Sequence, residues 1–170
     1  LSRGVDVEAI GAELTTATIV NNRFNGADTG IRLSGTDILV ESNNFFAYED
    51  GIRFFSAVSD TRIRDNTFAN QIADSFSAQL SIAAVSPGEN NTIINNTLID
   101  GADIAIKFEG DVDARTGAIN RQGPNGTVIR KNRIDGGYNV GISITEATNN
   151  TVIENNTIQN LEGSLNTGIK

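Results

Sequence analysis

Arg32, Arg53 and Lys107 each take third place in a four-residue apolar motif, in "GIRL", "GIRF" and "AIKF". The motif recurs as "GVDV" at 4–7, "GISI" at 141–144 and "GIK" at 168–170, with a degenerate copy expected in "QLSI" at 79–82. Its second and fourth residues are apolar and its third is polar, which suits a strand with two inward side chains and one outward. The outward positions then read Asp6, Arg32, Arg53, Ser81, Lys107, Ser143 and Lys170. Most of these are basic, in a chain of formal net charge -8. Stacked in register, Arg32 and Arg53 stand about 5 Å apart between backbones. Such a strip suits the carboxylates of an anionic polymer, because a guanidinium binds a carboxylate through two parallel hydrogen bonds. A plain solvated face uses the same residues, since Arg and Lys stems cover apolar surface.

Removing a proton beside a carboxylate needs a base, an acid and a neutralising cation. "YEDGIR" at 48–53 concentrates Tyr48, Asp50 and Arg53, and Tyr138 stands three residues before its motif Gly as Tyr48 does. These two tyrosines are expected on coils three apart, too far to act together on one sugar. Lys107 with Arg115 or Arg121 is the other basic cluster. Asp111 and Asp113 in "GDVDAR" are a candidate carboxylate pair for glycoside hydrolysis, or oxygen ligands for calcium. No other metal or cofactor is indicated. The chain has neither His nor Cys, which excludes imidazole chemistry, thiolate metal sites and disulfides.

A repeat must position these residues. "ATIVNNRF" (17–24), "ILVESNNF" (38–45), "TRIRDNTF" (61–68), "NTIINNTL" (91–98), "TVIRKNRI" (127–134) and "TVIENNTI" (151–158) align without a gap. Asn22, Asn43, Asn66, Asn96, Asn132 and Asn156 share one position, spaced by 21, 23, 30, 36 and 24 residues. Three residues earlier stands an aliphatic, and two residues later a large apolar side chain. Between them lie mostly polar residues, as in short strands with one buried face. The Asn, Thr and Gly content opposes a helical reading. One repeat cannot bury its apolar face alone, but stacked repeats can, with strands of successive coils paired in parallel.

These features predict an all-β parallel β-helix of about seven coils. The constant Asn is expected to turn the chain at a corner with left-handed backbone angles and to form an inward ladder of amides. The residue before it is expected to face solvent. The motif Gly supplies either a positive φ or room for a close backbone approach.

The coils resemble right-handed parallel β-helix proteins of the pectate-lyase-like superfold. The "NNTI…GI" pattern is most similar to the repeats of mannuronan C5-epimerase modules and periplasmic copper-site-assembly proteins. The resemblance covers nearly the whole chain and implies a substrate groove along one parallel sheet. It does not select a function, because this fold carries enzymes, tailspikes and adhesins alike. Those epimerase modules use Tyr, His and Asp together, so the absence of His leaves that set incomplete.

Residues 1–170 read as one β-helix segment of a longer chain, with insertions at 69–78, 83–90 and 109–126. The expected function is a secreted, cell-surface or periplasmic module that binds an anionic polysaccharide such as a uronic-acid polymer through Arg32, Arg53, Lys107, Arg115 and Arg121. The alternative is a structural solenoid that associates end to end and has no active site. An enzyme complete within this chain, lyase or epimerase, ranks third. Net charge opposes general nucleic-acid binding, and no apolar run is long enough to span a membrane.

Overall fold

The structure, a computed structural model, describes residues 3–7, 16–72, 80–84, 87–112, 115–116, 119–145, 148–162 and 167–170. Its strands wind into three long parallel sheets. Sheet 1 stacks Ala17–Val20, Ile38–Glu41, Arg62–Arg64, Thr92–Ile94, Val128–Arg130 and Val152–Glu154. Sheet 2 stacks Arg23–Asn25, Asn44–Phe46, Thr67–Ala69, Thr97–Ile99, Arg133–Asp135 and Thr157–Gln159. Sheet 3 holds the apolar-motif strands: Arg3–Val7, Thr29–Thr36, Asp50–Ser59, Leu80–Ala84, Ile104–Glu109, Val140–Thr145 and Thr167–Ile169. Each strand pairs with its counterpart one coil away, so the fold is a parallel β-helix.

The register puts like on like. Ile19, Val40, Ile63, Ile93, Ile129 and Ile153 form one inward column. Phe24, Phe45, Phe68, Leu98, Ile134 and Ile158 form another. The Phe24–Phe45 and Phe45–Phe68 rings stack with centroids 4.7 and 4.5 Å apart. These rings, together with the backbone of the next coil, explain Gly30 and Gly51. A Cβ at Gly30 would lie 2.7 Å from the Phe45 ring, and one at Gly51 2.7 Å from the Phe68 ring. Neither glycine has a positive φ, so close approach, rather than left-handed geometry, is the reason for Gly here.

Between sheets 1 and 2 runs the asparagine ladder. The backbone N–H of Asn22, Asn43, Asn66, Asn96 and Asn132 each donates to the side-chain Oδ1 of the next Asn at 2.9–3.0 Å. Each Nδ2 donates to the same oxygen at 3.0 Å. From Asn43 onward, Nδ2 also donates back to the preceding coil, to the carbonyls of Ile19, Val40, Ile63, Ile93 and Ile129. Every buried amide is thereby matched, which removes the cost of taking it out of water.

The turning residue differs from the expectation. The left-handed angles fall on the variable position before the ladder: Asn21, Ser42, Asp65, Asn95, Lys131 and Asn155, with φ between 55 and 58°. All six face solvent, as expected. The constant Asn keeps an ordinary backbone and turns its amide inward. Two further corners use the same device, one at Gly26, Ala47, Asn70, Asp100, Gly136 and Asn160, the other at Asp37, Asp60, Asn90, Gly126 and Asn150.

Parts of two predicted insertions are regular coil. Gly88–Glu89 pairs in parallel with Pro124–Asn125, and Asn125 bridges to Asn149. Within the longest insertion, Asp111–Val112 pairs with Ile119–Arg121 as an antiparallel ribbon.

Replacing Asn96 by Ala strips partners from Asn66, Asn132 and the Ile63 carbonyl at once. We expect a loss of about 3–5 kcal/mol in urea unfolding. Lys131→Gly relieves a left-handed Lys and is expected to gain about 0.5–1 kcal/mol. A loss on Asn96→Ala no larger than one ordinary hydrogen bond, about 1 kcal/mol, would overturn the ladder's role, and no gain on Lys131→Gly would overturn left-handed strain at that corner.

Candidate functional site

The register line of sheet 3 that carries the third motif position runs Asp6, Arg32, Arg53, Ala83, Lys107 and Ser143, followed by Lys170. Ser81 is not in it. Ile82 pairs with both Ile52 and Ile106, so "SIAA" at 81–84 is the motif copy, and Ser81 takes the glycine position. The sequence register was wrong by two residues, because "QLSI" and "SIAA" carry the same apolar alternation.

The line is not a bare cationic strip. Arg53 bonds Asp50 through Nη1 at 3.0 Å, and Lys107 pairs with Glu109 at 2.6 Å. Ala83 and Ser143 are buried although they point outward. Arg32 is buried too, its guanidinium 3.7 Å from the centre of the Phe55 ring. Arg53 remains the most accessible of the three cations, its side chain 47% exposed.

Phe55 was missed in the sequence. It sits where the ladder between Thr29–Thr36 and Asp50–Ser59 shifts: Leu33 faces Phe54, but Gly35 faces Val58. Residues 55–57 therefore bulge outward. Arg53 and Phe55 alternate with the buried Phe54 and share the outer face. Arg32 covers one side of the ring, while the residue as a whole stays 53% exposed. The sequence signal was the doubled Phe54-Phe55, which breaks the apolar–polar alternation.

The tyrosines belong elsewhere. Tyr48 and Tyr138 are both fully buried in the core, so neither faces a groove. Their strands are three coils apart, as expected, yet the hydroxyls share one partner inside the core. Ser81 Oγ lies 2.7 Å from the Tyr48 hydroxyl and 2.9 Å from that of Tyr138. The Tyr48 ring packs edge-on against Phe45 and Phe68. Tyr138 reaches down over Gly101, where a Cβ would lie 1.8 Å from its ring. The two side chains reach toward each other along the core axis, which spans the separation of their backbones.

Of the remaining candidates, Arg115 is exposed in a turn. Asp111 and Arg121 are register partners at the base of the ribbon. Asp113 lies outside the described residues. Among the described residues, no group of three or more acidic side chains is placed to hold a metal.

Burial pushes the Tyr138 hydroxyl up to about 12, and burial with the neighbouring Tyr138 pushes that of Tyr48 well above its usual value. The folded chain thus holds these protons more tightly than the unfolded chain. Their contribution is fully present below the unfolded value near pH 10 and is lost as pH rises toward about 12. Thermal unfolding should show a fall in Tm across that window, and Tyr138→Phe should flatten it. An unchanged slope in the variant would place the alkaline sensitivity elsewhere.

Residues 4–169 match the family described as "Right handed beta helix region". No curated protein and no solved structure gives a significant match. The parallel stack, its apolar columns and its amide ladder agree with that family over almost the full chain, and the chain belongs to it: this is a right-handed parallel β-helix protein.

Proposed function

We propose that this chain is a polysaccharide-interacting module of a secreted carbohydrate-active protein, taking an anionic glycan such as a uronic-acid polymer on the outer face of sheet 3. The observation that supports this best is the bulge at 55–57. It sets a half-exposed phenyl ring beside the accessible guanidinium of Arg53. An aromatic face packs on the C–H side of a sugar ring, and a guanidinium takes a carboxylate. Lys107, two coils along the same line, extends the reach of the strip. The similarity of the repeat to epimerase-type modules points to the same ligand class. Binding asks less of this surface than catalysis does. Tyr48 and Tyr138 lie in the core, Asp50 is engaged with Arg53, and of the Asp111 and Asp113 pair the second lies outside the described residues.

Calorimetry with pectate, alginate and a neutral glycan tests this reading. Wild type should bind an anionic glycan, and Phe55→Ala and Arg53→Ala should each weaken it about tenfold. Absorbance of unsaturated products, followed in parallel, would reveal lyase chemistry. Absence of binding to every glycan sinks the proposal.

A structural solenoid is the second reading, favoured by the polarity of the ladder. Among the described residues the Asn22 Oδ1 accepts no bond, and the Asn156 backbone N–H donates none. These ends are complementary, and under this reading a further coil or a second molecule joins them. Sedimentation velocity at rising concentration should show rods under this reading, and a monomer throughout would dismiss it.

A further inference from the structure

We propose that a depression on the outer face of sheet 1 binds a single acidic sugar residue, with Arg62 taking its carboxylate and Asp37 and Asp60 its hydroxyls. The depression measures about 150 Å³ and is lined by Asp37, Ile38, Leu39, Asp60, Arg62 and Arg64. It lies on a different sheet from the glycan face proposed above and does not depend on it.

The coil register builds this site. Asp37 and Asp60 occupy equivalent corner positions, with φ of 53 and 51°. The Asp37 N–H donates to the Ser59 carbonyl at 3.2 Å, and that of Asp60 to the Glu89 carbonyl at 2.8 Å. Both corner backbones are therefore fixed, and their carboxylates project one coil apart, about 5 Å. Leu39 stands directly beside Arg62 in the ladder and supplies an apolar patch. Arg64 is already committed to Glu41 at 3.0 Å. Arg62 is exposed and has no ion pair among the described residues. Asp60 receives one weak bond, from Asn90 Nδ2 at 3.3 Å.

This charge pattern selects the ligand. A bare anion would meet two carboxylates, and a bare cation would meet two guanidiniums. A neutral sugar would satisfy the acids through its hydroxyls but leave Arg62 unmatched. An acidic sugar carries both groups, a carboxylate for the fork of Arg62 and hydroxyls for the two acids. Its C–H face fits Leu39. The volume suits one small ring, well below the size of a drug-like pocket.

The test is titration of the amide NMR spectrum with galacturonic acid, with galactose and glycine run beside it. Shifts centred on residues 37–39 and 60–64, saturating with galacturonic acid and about tenfold weaker in Arg62→Ala, are expected. Arg62→Lys should recover part of the affinity, since it keeps the charge and loses the fork. Arg53→Ala should leave these shifts intact, which separates this site from the sheet 3 face. Equal shifts with galactose would overturn carboxylate recognition, and equal shifts with glycine would overturn the sugar assignment. No shift with galacturonic acid, or shifts that persist unchanged in Arg62→Ala, would overturn the site.

Discussion

The structure depends on one constraint: each corner of a coil must bury backbone groups and still satisfy them. A parallel strand pairs with its neighbours only along its straight part. At the corner between sheets 1 and 2 the chain bends out of the ladder, and an N–H is left facing inward. The stacked asparagines complete the ladder where the backbone cannot. Their Oδ1 atoms take that N–H from the coil below, and their Nδ2 groups return a bond to the carbonyl before it. Because each Oδ1 accepts from the preceding coil and each Nδ2 donates both onward and back between coils, the register of each coil is set by its neighbours. A slip would leave several buried amides unmatched at once.

That interlocking explains what the sequence made legible. The ladder Asn, the aliphatic before it and the large apolar after it are inward at nearly every coil, so their types are narrowly constrained. Their spacing therefore showed the sheets, the stacking and the coil number directly. The variable position before the Asn is constrained in φ but not in side chain, and Ser42 and Lys131 occupy it as well as Asn. A positive φ that carries no fixed residue type leaves little trace, and it was assigned to the wrong neighbour.

The outer surface was harder to read for the same physical reason. Outward side chains answer to their partners across the face, not to the repeat. Arg53 reads as a free cation in a strand pattern, but Asp50 three residues earlier is bonded to it. Arg32 reads as exposed, but the bulge at 55–57 lays Phe55 over it. Ser81 looked like an outward residue only because two registers of one apolar segment fit equally well. The structure selects the one that puts a small side chain where a glycine otherwise stands and gives two buried phenols a shared partner. Coil separation was right for the tyrosines as a pair on a sugar but silent on their shared partner in the core. Backbone distance along the axis is a poor guide when two long side chains extend toward each other from opposite sides.

A solenoid repeats each position about every 4.8 Å, so any outward charge is placed beside the same position of the next coil. Like charges stacked in this way repel, and this surface answers mostly by pairing. Glu41 meets Arg64 one coil on, Arg130 meets Glu154, and Lys107 meets Glu109 within its own strand. Where the neighbours are neutral no such pressure exists. Arg62 stands between Leu39 and Thr92 and has no ion pair among the described residues. The paired charges are accounted for by the stability of the stack, and so they say little about ligands. An accessible guanidinium that the stack does not use, in a depression that also presents two carboxylates, is not accounted for in that way. On a surface built by repetition, such departures from internal pairing are where an external partner has the least to displace.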